Sequence, residues 1–333
     1  MSGQLKITLR QPPNVDFVIG FPGIPGHQER PHAAVKGSVE LRVGQGSPVK
    51  AKWIRVELRK IEILPGGGQT NTYSDVVGSG SFNLWTAKDE WEVVSTRDLP
   101  FQIKIPEDVP PSVALENGSG IKYELVASVC YRAKKGLFRR VTAPVMSASS
   151  PIVIDKHELH STWPAYSQKD SRQVNKDGFT LVVERGNTCY GPGDTVLLRV
   201  TLKSSTPPVT IRSYEMALRE TAVYRTGEAP KTANGPQIRS SFVGSEKLSV
   251  NVLLKSVVTA THIEVVYGIA VRATLDDGRD LVIDNIPVMM SNWSRAVSNE
   301  TVKRIGWAPI LSHAVAALVE LRFNHNVSSG RTQ

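Results

Sequence analysis

Val35-Lys36-Gly37-Ser38-Val39-Glu40-Leu41-Arg42-Val43 alternates with a period of two: Val, Gly, Val, Leu and Val fall on one side, Lys, Ser, Glu and Arg on the other. An extended backbone sends successive side chains to opposite faces, so this stretch predicts a half-buried strand with its odd positions in a core. Trp53-Ile54-Arg55-Val56-Glu57-Leu58-Arg59-Lys60-Ile61-Glu62-Ile63 repeats the pattern and stops at Pro65-Gly66-Gly67-Gly68. There a proline removes a ladder donor and three glycines loosen the backbone. Phe101–Ile105, Ile121–Tyr131 and Ile152–Ile154 continue the series. The first half thus carries about seven strands, the number an antiparallel sandwich needs.

Working outward, residues 155–177 lose the alternation, become polar and contain Trp163-Pro164, which predicts a connector. Strands resume at Phe179–Glu184, then the turn Gly191-Pro192-Gly193-Asp194, then Val196–Leu202, followed by Tyr214–Tyr224, Leu248–Leu254, Ile263–Ala273 and Leu281–Ile283. Asp276-Asp277-Gly278 is a tight turn, and the Pro-, Gly- and Ser-rich run Thr226–Ser241 reads as a surface loop. The domain reading is therefore residues 1–155, a linker over 156–178, a second domain over 179–310 and a tail over 311–333. In that region Trp307–Leu321 is the one stretch with helical character, with Pro309 and Ser312 near its start.

Composition agrees with two cores. The 333 residues exceed what one core organises, and 40% hydrophobic with 21% charged is ordinary for a folded chain. Gly (26) and Pro (21) with abundant Val and Thr favour short strands and turns over a helical bundle. No stretch reaches the ~18 apolar residues of a membrane-spanning helix, and Met1–Lys6 leads into alternating sequence rather than an apolar leader, so a cytoplasmic location is expected. Cys130 and Cys189, the only two cysteines, lie in different halves and read as buried thiols. The net charge of +9 is spread evenly: residues 1–155 carry 19 basic and 15 acidic side chains, which argues against a dedicated nucleic-acid module.

One segment points to a family. Ile105-Pro106-Glu107-Asp108-Val109-Pro110-Pro111-Ser112-Val113-Ala114-Leu115, followed by Gly120-Ile121-Lys122-Tyr123-Glu124-Leu125, resembles the arrestin signature: a proline-bounded Ser-Val-x-Leu run ahead of a Gly-x-x-Tyr-Glu strand. Val35–Leu41 and Arg55–Lys60 look like strands of an arrestin N-domain, and Tyr190–Asp194, Ile211–Tyr224 and Ile263–Val271 like strands of its C-domain. The resemblance spans roughly residues 1–310 and has the flavour of fungal alpha-arrestins, the arrestin-related trafficking adaptors. It implies an all-β fold of two tandem immunoglobulin-like antiparallel β-sandwich domains and a cytosolic adaptor without cofactor, metal or enzymatic activity. Such an adaptor binds cytoplasmic segments of membrane transporters or receptors, is recruited peripherally to plasma membrane and endosomes, and links its cargo to a HECT-type ubiquitin ligase and endocytosis.

The chain departs from that family in lacking a Pro-Pro-x-Tyr motif: Pro12-Pro13, Pro110-Pro111 and Pro207-Pro208 all lack the tyrosine. Pro164-Ala165-Tyr166 is the degenerate candidate, in which the proline would pre-set an extended backbone and Tyr166 fill a groove. The departure favours a second expectation, a constitutive retromer-type scaffold of the same fold without a ligase. A third, a lipid- or carbohydrate-binding sandwich, lacks an evident aromatic sugar platform. Arg132, Lys134, Lys135, Arg139 and Arg140 cluster around Gly136, where they suit phosphate oxygens or an anionic lipid surface, or simply keep a hairpin soluble. His157-Glu158-Leu159-His160 falls one residue short of zinc-protease spacing, and its side chains are expected to make interdomain hydrogen bonds.

Overall fold

The computed structural model describes residues 5–10, 17–27, 30–44, 48–135, 140–161, 166–204, 209–226, 237–244 and 254–306. Over these residues the protein is all-β with one short α-helix, its strands arranged in sandwich-like layers. The chain divides into two compact units whose main boundary falls between Asp155 and Lys156; Gly23–Pro25 and Asp108–Pro111 group with the second.

Unit 1 contains β1 (Leu5–Arg10), β2 (Val18–Ile19), β3 (Ala34–Val43), β4 (Val49–Ile63), β5 (Thr72–Val76), β6 (Phe82–Thr86) and β7 (Glu92–Val94). They are followed by β8 (Arg97–Lys104), β9 (Val113–Ala114), β10 (Gly120–Tyr131), β11 (Ala133–Lys135), β12 (Arg140–Thr142) and β13 (Val145–Ile152). In one sheet β8 runs along one edge of β3, and β1 and β2 share its other edge. In the second, β10 lies between β13 and the long β4, whose other edge is paired in turn by β7, β6 and β5. The alternation read from Val35–Val43 decides which side faces in: Val35, Val39 and Leu41 are fully buried, while Lys36 is exposed. Register then stacks like with like. Leu58 faces Leu125, Val56 faces Ala127 and Ile54 faces Val129 across β4 and β10, all with no exposed surface. Burying each large aliphatic side chain stabilises by about 1.5–3 kcal/mol, so this double row is the main cohesion of the second sheet.

Unit 2 contains β14 (Asp170–Lys176), β15 (Phe179–Arg185), β16 (Cys189–Tyr190), β17 (Leu198–Ser204), β18 (Ile211–Tyr224), β19 (Gln237–Gly244), β20 (Ile263–Leu275), β21 (Asp280–Met290) and α1 (Arg295–Ile305). One sheet runs β14-β15-β17 and the other β16-β21-β20-β18-β19, antiparallel except for the short parallel pair β16–β21. Phe179, Leu181 and Val183 form the buried row of the smaller sheet, and Ile269, Val271 and Ala273 that of the larger. Between β20 and β21, Gly278 adopts φ 84° and its amide donates to Leu275 O, closing the Asp276-Asp277-Gly278 turn.

Several sequence expectations change. The linker over 156–178 is part of unit 2: residues 170–176 form β14, paired along its length with β15, and Glu158, Leu159, His160 and Tyr166 are buried. Alternation failed as a signal there because β14 is an edge strand with two faces largely open to solvent, so polar residues serve on both. The loop over Thr226–Ser241 gives way to β19 from Gln237 onward, paired with β18. The strand expected at Leu248–Leu254 and the helix expected over Trp307–Leu321 lie outside the described residues, apart from Leu254. The helix that is present, α1, begins earlier, where Ser294 caps it by accepting from Val297 N at 3.3 Å.

Candidate functional site

The basic hairpin forms from β11 and β12, with Ala133 opposite Thr142, Lys134 opposite Val141 and Lys135 opposite Arg140. Arg132 is exposed at its base, where its amide donates to Lys50 O at 2.7 Å and ties the hairpin to the start of β4. Val141 of β12 is 47% exposed. Arg139 and the tip lie outside the described residues.

The family-like segment has a physical rationale. Ser112 N donates to Ile154 O at 2.7 Å while Ile154 N donates to the Ser112 hydroxyl at 2.9 Å, so this serine makes a two-bond clasp to the chain beyond β13. Glu116-Asn117-Gly118 then turns the chain, Asn117 at φ 57° and Gly118 at φ 72°, and Leu115 N donates to Ser119 O. Gly120 follows with φ 142°, and a Cβ there would stand 2.1 Å from Val113 O. Only glycine fits this approach. Tyr123 is fully buried in the same strand.

The densest set of buried polar groups lies in unit 2, around the residues of the expected linker. Glu158 is buried, and its Oε2 has no hydrogen-bond partner among the described residues. Burial pushes its carboxyl up to about 7, with the Lys156 ammonium and the Tyr166 hydroxyl pulling the other way. Tyr166 and Cys189 are raised well above their ordinary values, by burial first and then by the negative field of Glu158. His160 bonds through Nε2 to Trp293 O at 3.0 Å, and burial lowers its pKa. His157 stacks on Trp293 with centroids 4.3 Å apart, Asn292 Nδ2 donates to Lys156 O at 2.8 Å, and the Ser161 and Ser298 hydroxyls meet at 2.8 Å. Nearby, Asp194 accepts from Gly191 N at 2.8 Å and from Arg295 N at 3.0 Å, tying the Gly191–Asp194 turn to the start of α1. A cleft of about 20 Å³ is lined by Lys156, Glu158, Lys255, Ser256, Met290 and Asn292.

These contacts revise two readings. His157 and His160 both meet Trp293, within unit 2, and among the described residues no group of three or more His, Cys, Asp or Glu is gathered as a metal ion requires. Tyr166 is only 7% exposed and hydrogen-bonds Glu158, so a groove on another protein reaches this phenol only after its segment detaches. Pro164 lies outside the described residues. The sequence carried the Glu158 environment only as a failed zinc motif; what it needed was the contact with residues more than 130 positions away. Asp194 was legible as a turn residue, but its capping of α1 was not.

No protein-family model matches the chain, and no curated protein matches it. Among the described residues no helix is long and apolar enough to cross a membrane.

Proposed function

We propose that the protein is an arrestin-like adaptor that binds cytoplasmic segments of membrane transporters or receptors and couples them to ubiquitination, endocytosis and endosomal sorting. The observation that carries this reading is where the family-like residues stand in unit 1: the Ser112 clasp, the Gly120 approach to Val113 and buried Tyr123 together organise the central strand β10. In unit 2 the corresponding stretches Ile211–Tyr224 and Ile263–Val271 are neighbouring strands of one sheet, which supports the same reading. Exposed strand edges and a basic hairpin suit extended, anionic segments or an anionic lipid surface. The function is scaffolding, in the cytoplasm and at the membrane surface.

Buried Tyr166 favours a second reading, a retromer-type scaffold of the same fold without a ligase. Affinity purification of the intact protein separates the two. It is run beside a variant in which Arg132, Lys134, Lys135, Arg139 and Arg140 are each changed to Ser. A HECT-type ligase and plasma-membrane transporters in the eluate support the adaptor, and loss of the transporters alone in the variant assigns cargo or membrane binding to the hairpin. One stoichiometric sorting-complex partner with no ligase overturns the ubiquitination part.

A further inference from the structure

Residues 156–161 cross unit 2 without entering either of its sheets, yet nearly every one of them is fastened by a specific contact. Asn292 holds the Lys156 carbonyl, Trp293 stacks on His157 and accepts from His160, Leu159 is fully buried, and Ser161 bonds Ser298 of α1 twice. Two of the fasteners are titratable and incompletely satisfied. Glu158 Oε2 and His160 Nδ1 are buried with no partner among the described residues. A buried carboxylate without enough donors is unfavourable, and so is an imidazolium stripped of water. Each group therefore fits its place only in its neutral form.

We propose that residues 156–161 are a proton-gated strap, Glu158 gripping unit 2 as the neutral acid and His160 as the neutral base. The strap grips hardest in a mildly acidic window and loosens on either side of it. The groups facing Glu158 are Lys156 on its own segment, Tyr166, Cys189 of β16 and Lys255 across the cleft. Those facing His160 are Asp194 and Arg295, with the carbonyls of Trp293 and Ser294. Glu158 ionises more easily once released, so rising pH opens the strap. His160 takes up a proton more easily once released, so falling pH opens it as well. Opening also breaks the bond to Tyr166 that keeps the phenol inside. The strap does not depend on the adaptor reading, since every group in it belongs to unit 2.

Amide exchange of the full chain tests this, with residues 156–161 followed at pH 6 and pH 8 and corrected for intrinsic exchange, in wild type, E158Q and H160Q. With His160 replaced, the opening equilibrium is expected to rise about tenfold from pH 6 to pH 8 as the carboxyl ionises. With Glu158 replaced, it is expected to fall, by at most about fourfold, over the same interval, because the released imidazole loses its proton. Wild type combines the two and rises by about two- to tenfold. Variants that share one pH profile overturn the proposal. Carbon-detected titration of wild type guards against misfolding of a variant: the Glu158 carboxyl is expected to titrate near neutrality. A midpoint in the ordinary carboxylate range overturns the proposal whatever the variants do.

Discussion

At Gly120 one residue carries the geometry of a whole turn. Its φ of 142° is costly for any residue with a Cβ, and Val113 O occupies the place that atom would take. Gly120→Ala is expected to destabilise by about 2–4 kcal/mol, seen as a lower urea midpoint with unchanged slope, because β9 must leave β10 to make room. A wild-type midpoint would mean that the approach to Val113 relaxes freely. The glycine was visible in the sequence as part of a motif, but its reason was not, since backbone angle and carbonyl approach are properties of the folded turn. Ser112 is the same case: its hydroxyl matters through Ile154, 42 positions away.

Among the elements, the long strands β3 and β4 were legible because a core on one side and water on the other imposes period two, while β10 and β20, more buried on their second face, were legible as long apolar runs. The edge strand β14 and the helix α1 were not, because neither presents a wide apolar face. Only Ser298 and Thr301 of α1 are buried, and both are polar. The helix depends on its start instead, where Ser294 accepts from Val297 N and Asp194 accepts from Arg295 N. Ser294→Ala is expected to cost about 1 kcal/mol locally, read as roughly fivefold faster amide exchange across 295–305, with β20 unaffected. Uniform acceleration throughout unit 2 would instead make α1 part of its global cooperative unit.

Over the whole molecule, the Glu158 carboxyl makes stability depend on pH. Its native value, about 7, lies above the ordinary 4.5, so below pH 4.5 both states hold the proton and nothing is lost. As pH rises further the unfolded chain ionises first, and stability drains until the native carboxyl also ionises near 7. Wild type is therefore expected to lose about 2 kcal/mol relative to E158Q between pH 5 and pH 7.5, measured by urea unfolding of both proteins. His160, lowered by burial, works in the opposite direction, but it is present in both chains and drops out of the difference. A constant gap between the two curves would place Glu158 in contact with water.

The alternation of Val35–Val43 and Trp53–Ile63, the turn glycines and the want of long apolar runs determined an all-β chain rich in antiparallel strands, because side-chain period and turn chemistry are local properties. Tertiary structure alone decided that residues 156–161 are clamped into unit 2, that Tyr166 is turned inward, and that Glu158 and His160 are buried. Burial and hydrogen bonding are set there by Asn292, Trp293 and Ser298, more than 130 residues further along the chain, and no local pattern encodes a partner at that distance.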